Sequence, residues 1–413
     1  MQFKDLPLSQ PLLDAIDELG HHTPTPIQVK VIPEILRRND VLASAQTGTG
    51  KTGAFAIPLL QLLNKQVGDD DSRPKQISYL IISPTRELAV QIEENIREYA
   101  KHTNIRSGVV FGGASMQPQI NLLKNGLHIL VATPGRLLDL RKQGYINLDD
   151  ISVLVLDEAD LMLDMGFIDE VQKIIRLSPN LTQRLMFSAT IPPKVEDLAK
   201  TLLVNPERIE VSQNSSAAPE VVQKIYMVPK PDKIELMLYV LRNVVKDGSV
   251  LIFRRTKFGV EKAFTSLKRN GFKAEALHGD MSQSDRTTAL NQFKNKEVNI
   301  LVATDLAARG LDIDLLDYVI NFDLPSQPET YVHRIGRTGR AGNVGASLSF
   351  CSADEKIYLK FIETLIGEKI TVEDNNPYPL DKEAKPAVHK KKGSKHKKGR
   401  KGSGSKEKKK RWY

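Results

Sequence analysis

The 413-residue chain contains a single cysteine, Cys351. One thiol cannot close an internal disulfide, so the fold must stand on its cores, and a reducing compartment is expected. Cys351 ends the apolar run Leu348-Ser349-Phe350-Cys351 and reads as a buried strand residue rather than a nucleophile. Long apolar runs are also missing: nothing approaches the ~20 consecutive residues a membrane-spanning helix requires. Residues 1–20 lack the basic start and apolar centre of a signal peptide. The sequon-like Asn214-Ser215-Ser216 is therefore read as plain linker, and the expected location is the cytoplasm. Aromatic residues make up only 6% of the chain, against 40% hydrophobic and 26% charged residues, ordinary values for a globular protein. The length predicts two or three domains, each able to bury its own core.

Acidic residues are scarce in one place. From Asp381 to Tyr413 there are 15 Lys/Arg against three Asp/Glu, a net charge of +12, while the whole chain carries +9. The first 380 residues therefore carry −3. The terminal segment is rich in Lys, Gly and Ser and nearly free of apolar residues, so it cannot offset its chain entropy and is expected to be disordered. Such a segment suits phosphate backbones without sequence preference, or serves as a solubilising tail. Trp412-Tyr413 at its end adds two rings able to stack on bases.

The rest of the chain repeats itself. Ile129-Leu130-Val131-Ala132-Thr133 recurs as Ile300-Leu301-Val302-Ala303-Thr304, followed by Arg136 and Arg309 respectively. Around each copy, strand-length apolar runs alternate with helix-like segments. They include Val41–Ala43, Tyr79–Ile82, Val109–Phe111, Val153–Leu156 and Leu185–Phe187 in the first half. Ile225–Val228, Val250–Phe253, Tyr318–Phe322 and Ser347–Phe350 follow in the second. Leu88, Ile92, Ile96 and Tyr99 share one helix face. This alternation predicts an α/β fold with parallel sheets covered by helices. The small, polar stretch 212–219 is the expected linker between domains 1–211 and 220–368, with 369–413 as the disordered tail.

Two segments carry chemistry. Ala45-Gln46-Thr47-Gly48-Thr49-Gly50-Lys51-Thr52 follows the run Val41-Leu42-Ala43 and precedes a helix-like stretch. Strand, glycine loop and helix in that order form a polyphosphate cradle. Backbone N–H groups face the anion, Lys51 reaches the β- and γ-phosphates, and the Thr52 hydroxyl suits Mg²⁺. Asp157-Glu158 end the run Val153–Leu156, where carboxylates emerge from the carboxyl end of a buried strand. Asp157 completes the Mg²⁺ site and Glu158 is placed to orient and deprotonate water. Together they predict hydrolysis of a nucleoside triphosphate.

Asp157-Glu158-Ala159-Asp160 resembles the naming signature of the DEAD-box RNA helicases, a family with two RecA-like lobes. The resemblance runs from Phe3 to about Phe361, with the motifs in family order. Gly20 through Pro24-Thr25-Pro26-Ile27-Gln28 is similar to the adenine-reading segment, with Phe3 at the upstream aromatic position and His21 where the family usually has an aromatic. Pro84-Thr85-Arg86-Glu87-Leu88, Gly112-Gly113 and Thr133-Pro134-Gly135-Arg136 resemble RNA-contacting motifs of the first lobe, and Ser188-Ala189-Thr190 the coupling motif. Phe253 to Lys257, His278-Gly279-Asp280, Ala303-Thr304-Asp305 through Arg309-Gly310-Leu311-Asp312, and His333 to Arg340 match in turn in the second.

The resemblance implies ATP and Mg²⁺ as cofactors and RNA as partner. Gln28, through one donor and one acceptor, fits the N6/N7 edge of adenine. Phe3, His21, Thr25, the loop from Ala45 to Thr52, Gly310 and Asp312 complete the implied ATP site, Asp312 taking the ribose hydroxyls. Arg337 and Arg340 are the implied arginine fingers; an exposed nucleic-acid patch is the other reading of that stretch. His333 reads as a link to Ser188 and Thr190 rather than a metal ligand, since no Cys/His cluster accompanies it. Pro84, Thr85, Arg86, Gly113, Thr133, Arg136, Gly279, Thr304 and Arg309 are the implied RNA contacts, suited to phosphates and 2′-hydroxyls. The implied activity is RNA-stimulated ATP hydrolysis coupled to local unwinding of short duplexes, with a clamp or annealing chaperone as the alternative. The short core and lysine-rich tail resemble the bacterial RhlE-like subgroup, which implies ribosome assembly, RNA turnover or growth in the cold. A monomer is expected.

Overall fold

A computed structural model describes residues 1–45, 48–67, 76–211, 221–245, 247–308, 313, 316–339 and 345–381. Two seven-stranded sheets organise these residues. The first contains β1 (Val41–Ser44), β2 (Tyr79–Ile82), β3 (Ser107–Val110), β4 (Ile129–Ala132), β5 (Val153–Leu156), β6 (Gln183–Ser188) and β7 (Glu207–Glu210). The second contains β8 (Val221–Met227), β9 (Val250–Arg254), β10 (Ala274–Leu277), β11 (Ile300–Thr304), β12 (Tyr318–Asn321), β13 (Gly345–Cys351) and β14 (Thr371–Val372).

Their spatial orders are β3-β4-β2-β5-β6-β1-β7 and β10-β11-β9-β12-β13-β8-β14. Every strand pair is parallel. With β8 set against β1 and each later strand against its counterpart, the two orders are the same. The repeated pentapeptides fall on equivalent strands, β4 and β11. The fold is thus α/β, with two RecA-like parallel-sheet lobes in tandem.

Strands buried on both faces explain the unbroken apolar runs. In β5, Val153 and Val155 join the core on one side of the sheet, and Leu154 and Leu156 the core on the other. In β2, Tyr79 and Ile81 point one way and Leu80 and Ile82 the other. The second lobe repeats this: Ile252 and Val250 lie in one core, and Leu251 and Phe253 in the opposite one.

The three strands absent from the sequence reading, β7, β10 and β14, all sit at sheet edges. An edge strand has one neighbour and a solvated side, so its sequence need not be apolar: in Glu207-Arg208-Ile209-Glu210 only Ile209 is buried. The tail boundary at 369 also shifts. Ile370 is buried, β14 pairs with β8, and Leu380 N–H donates to Met227 O at 2.9 Å. Asn376 Nδ2 reaches the same carbonyl at 2.8 Å, and Tyr378 packs on the second-lobe core. These few apolar residues complete a sheet edge, and averaging them with the lysine-rich stretch conceals them. The linker 212–219 and the chain beyond residue 381 lie outside the described residues.

Candidate functional site

The phosphate loop starts where β1 ends. Ala45 is buried, and its N–H donates to Ser188 O at 3.2 Å, tying the loop to β6. Gly48 and Gly50 take φ of +76° and +87°, values at which a side chain is strained. A Cβ on Gly50 would also stand 2.8 Å from Gln28 Nε2. Thr49 lies between these two glycines, and Gly50 leads directly into the helix Lys51–Val67, which opens with Lys51 and the half-buried Thr52. Gln46 and Thr47 lie outside the described residues.

Lys51 Nζ donates to Glu158 Oε1 at 3.1 Å, with the two side chains 7% and 12% exposed. Burial opposes the ammonium charge, but the attraction of Glu158, Asp157 and Asp160 prevails and raises its pKa. For Glu158, burial is likewise outweighed, by Lys51 and then by Arg337 and His333 of the second lobe, and its carboxyl stays below the ordinary range. Burial pushes the Asp157 carboxyl the other way, upward. Asp157 Oδ1 is buried with no hydrogen-bond partner. Glu158 holds φ +56°, a left-handed conformation that costs a non-glycine residue about 1–3 kcal/mol and persists only where surrounding structure imposes it.

Asp160 connects this strand end to Ser188-Ala189-Thr190. Its Oδ2 accepts from Thr190 N–H at 3.4 Å and from Thr190 Oγ1 at 3.5 Å, and Ser188 Oγ donates to Thr190 O at 2.6 Å. His333 acts electrostatically on both Asp160 and Glu158, so the helix Pro328–Ile335 brings it to the coupling segment. Arg337 is buried two residues beyond that helix. Between them Arg334 is an internal brace: it donates twice to Asp305 (2.5 and 2.7 Å) and once each to Asn321 Oδ1 and Asp323 O. Arg309, Gly310, Asp312 and Arg340 lie outside the described residues.

The candidate nucleoside-binding residues make contacts within the first lobe itself. Phe3 is 4% exposed and packs in the first-lobe core, so its ring is not open to a base. Gln28 Oε1 accepts from Thr25 N–H at 2.9 Å, and its Nε2 donates to Gly50 O at 3.1 Å. The amide that would read adenine here closes a helix cap on Thr25 and holds the phosphate loop; an amide has one further hydrogen and one further lone pair to offer. His21 is exposed, with Nδ1 3.4 Å from the hydroxyl of Tyr99, a residue the motifs did not single out.

The remaining candidates gather at carboxyl strand ends. Pro84, Thr85 and Arg86 follow β2, Gly113 follows β3, and Thr133 and Arg136 follow β4. Gly113 has φ +73°, and a Cβ there would collide with the Arg86 guanidinium at 2.1 Å. Thr133 Oγ1 accepts from Gly112 N–H at 3.3 Å. Arg136 Nη2 donates to Ala114 O at 3.0 Å, while its Nη1 is buried without a partner. In the second lobe Gly279 follows β10, with open space where a Cβ would stand, and Thr304 ends β11.

A lobe-to-lobe contact borders these strand ends. Arg286 Nε donates to Glu87 Oε1 at 2.7 Å and Arg86 Nη1 to Gln283 Oε1 at 3.2 Å. Only the i, i+3 spacing of Gln283 and Arg286 on one helix hinted at it in the sequence.

A phosphate loop on one lobe, facing a histidine and an arginine from a second lobe of the same topology, defines a two-lobed nucleotide-dependent machine. The sequence matches the DEAD/DEAH box helicase family over residues 25–198 and the helicase conserved C-terminal domain over 232–342. It is 43% identical over 368 residues to the ATP-dependent RNA helicase DbpA of Bacillus subtilis, spanning 89% of this chain and 75% of that protein. It is 42% identical to CshA of Limosilactobacillus reuteri, spanning 88% and 72% of the two chains. The fold resembles that of S. cerevisiae Dbp5 bound to RNA and ADP–BeF₃, with a TM-score of 0.78 at 32% identity, covering 90% of this chain and 95% of that one. The chain belongs to the DEAD-box ATP-dependent RNA helicases, enzymes that hydrolyse ATP.

Proposed function

We propose that this chain binds single-stranded RNA and short duplexes across both lobes, without reading sequence, and couples that binding to ATP hydrolysis in the cleft. The single observation that carries the reading is the position of Glu158, held by Lys51 from its own lobe and influenced by Arg337 and His333 from the other. A carboxylate there serves as general base only when both lobes are in place, which links turnover to whatever draws the lobes together. Lys51 donates to Glu158 at 3.1 Å. Phosphate oxygens of ATP compete for the ammonium, and Glu158 is then released to orient and accept a proton from the attacking water. Arg337, joined by Arg340, offsets charge developing on the transferred phosphoryl group.

Asp157 and Thr52 would hold Mg²⁺, which would neutralise phosphate charge. The unpartnered Asp157 Oδ1 suits it. Among the described residues no group of three or more His, Cys, Asp or Glu side chains could hold a metal by itself, in keeping with an ion that takes its other ligands from phosphate and water. Arg86, Arg136 and the strand-end hydroxyls Thr85, Thr133 and Thr304 grip the RNA backbone, with Pro84, Gly113 and Gly279 allowing close approach, and Arg309 completing the set. Ser188, Thr190 and His333 relay closure between the sites, and Gln28, Thr25, His21, Gly310 and Asp312 select and seat the nucleoside.

Closure bends one strand and separates a short duplex locally. The short core and lysine-rich tail support RhlE-like work in ribosome assembly, RNA turnover or cold growth, by a cytoplasmic monomer acting on ribosomal precursors or with the RNA-decay machinery. No helix of the described residues is long and apolar enough to cross a membrane. The test is phosphate release with and without single-stranded RNA, for wild type, Lys51→Ala and Glu158→Gln. Wild type is expected to be stimulated by RNA, Lys51→Ala to bind nucleotide weakly, and Glu158→Gln to bind ATP and RNA without turnover. Absence of RNA stimulation would leave the clamp or annealing chaperone as the better account.

A further inference from the structure

Phe258 is the most exposed large apolar side chain among the described residues, at 83%. It lies in Arg254-Arg255-Thr256-Lys257-Phe258, where the chain turns from β9 into the helix Lys257–Arg269. That helix does not need the ring for packing, because Val260, Ala263 and Leu267 supply its core face. A phenylalanine left in water forgoes one of the largest burial gains of any side chain.

The repeat between the lobes shows what lies beside it. β9 holds the place of β2, β10 that of β3 and β11 that of β4. Thr256 caps its helix by accepting from Gly259 N–H at 3.0 Å, as Thr85 caps its own by accepting from Leu88 N–H at 3.3 Å. Thr256-Lys257-Phe258 is therefore the counterpart of Thr85-Arg86-Glu87. The surroundings repeat as well: the Arg86 guanidinium lies over Gly113 beyond β3, and the Lys257 ammonium pairs with the Asp280 carboxylate beyond β10. Thr133 and Thr304 close the row. The one clear departure is the third residue. Glu87 is occupied by Arg286, whereas Phe258 faces solvent, next in sequence to a cation and past the carboxyl end of β9, the same edge of the parallel sheet at which Gly279 follows β10 and Thr304 ends β11.

We propose that Phe258 is a base-stacking residue on the RNA path, its ring taking the face of one unpaired base while Lys257 meets the neighbouring phosphate. The inference rests on the RNA-dependent reading above and adds to it a contact with a base face rather than with the backbone. Every base has such a face, so the contact carries no sequence preference, but an internal base pair of a duplex has none free.

The experiment is an anisotropy titration of labelled single-stranded oligouridylate, at two salt concentrations, with the full chain. Stacking on one base is worth about 1–3 kcal/mol, so Phe258→Ala is expected to weaken binding roughly 5- to 150-fold. Phe258→Leu should lose a similar amount and Phe258→Tyr should restore it, because the ring and not the bulk is required. The salt slope should stay that of wild type, since no charge is removed. In a chain that also carries Trp412→Phe, the indole emission of Phe258→Trp should be quenched on adding the RNA. Wild-type affinity in Phe258→Ala, or unquenched emission, would overturn the assignment. If wild type itself gains no ATPase activity from RNA, the failure lies in the functional reading instead.

Discussion

Replacing Glu87 by Gln tests whether the lobes close through the contact described here. Glu87 and Arg286 are 12% and 10% exposed and meet at 2.7 Å across the lobe boundary, and Gln283 Nε2 adds a longer contact to the same carboxylate oxygen at 3.4 Å. A hydrogen bond to a charged group contributes about 1.5–3 kcal/mol when its partners are sequestered. With the lobes apart, both side chains return to water, so the loss falls on the closed arrangement alone. RNA affinity in the presence of a non-hydrolysable ATP analogue should therefore drop about 10- to 100-fold in Glu87→Gln. Affinity without nucleotide should change less than about twofold, because that state does not depend on the contact. The charge exchange Glu87→Arg with Arg286→Glu should recover part of the loss. Anisotropy titrations with and without the analogue separate the possibilities. An equal loss in both conditions would refute the reasoning, since it would assign Glu87 to the first lobe's own RNA surface.

Three further outcomes are expected. Asp323, paired with Arg254 at 2.9 Å, pays a burial penalty that Arg254 and Lys233 outweigh, so its pKa lies below the ordinary 3.8. A depressed carboxylate stabilises above its unfolded value and ceases to do so as pH falls through the folded one, so Asp323→Asn should melt earlier near neutrality yet lose less on acidification, as thermal melts across pH would record. Truncation after Asp381 should leave the saturated ATPase rate unchanged while raising the RNA concentration for half-stimulation and flattening its salt dependence; equal slopes would make the tail a solubility device. Gly113→Ala, at φ +73° and against the Arg86 guanidinium, should cost about 1–2 kcal/mol of stability and displace Arg86, which melting and RNA titration together would detect.

Much of this was legible because the chemistry demands contiguous segments. A phosphate loop needs its glycines and lysine side by side, and a doubly covered strand needs an unbroken apolar run, so Lys51, Thr52, Asp157, Glu158 and eleven of the strands stand out from local sequence. Phe3 misled because an aromatic at a motif position looks the same whether its ring enters a core or a cleft. Gln28 carries a second duty the motif does not announce, because the same amide also satisfies a helix cap and a glycine carbonyl. The Glu87–Arg286 and His21–Tyr99 contacts depend on the meeting of segments distant in sequence, and the helix spacing of Arg286 or Tyr99 alone does not say what each will meet. β7, β10 and β14 were missed for the opposite reason: at a sheet edge, with one neighbouring strand, they satisfy few constraints and need not form an apolar run.

Among the described residues the two sheets share no strand. The first is complete at Glu210, and every strand of the second begins at Val221 or later. During synthesis the ribosome therefore releases a segment that can close its sheet and both of its cores before any partner strand for the other sheet exists. At roughly 5–20 residues per second, the interval until the second sheet's last strand emerges is on the order of ten to thirty seconds, ample for an α/β lobe to settle. Parallel pairing, otherwise slow and exposed to mispairing between look-alike strands, is thereby separated in time as well as in sequence. A chain that carries the same topology twice avoids exchanging strands between copies because it finishes one before it begins the next.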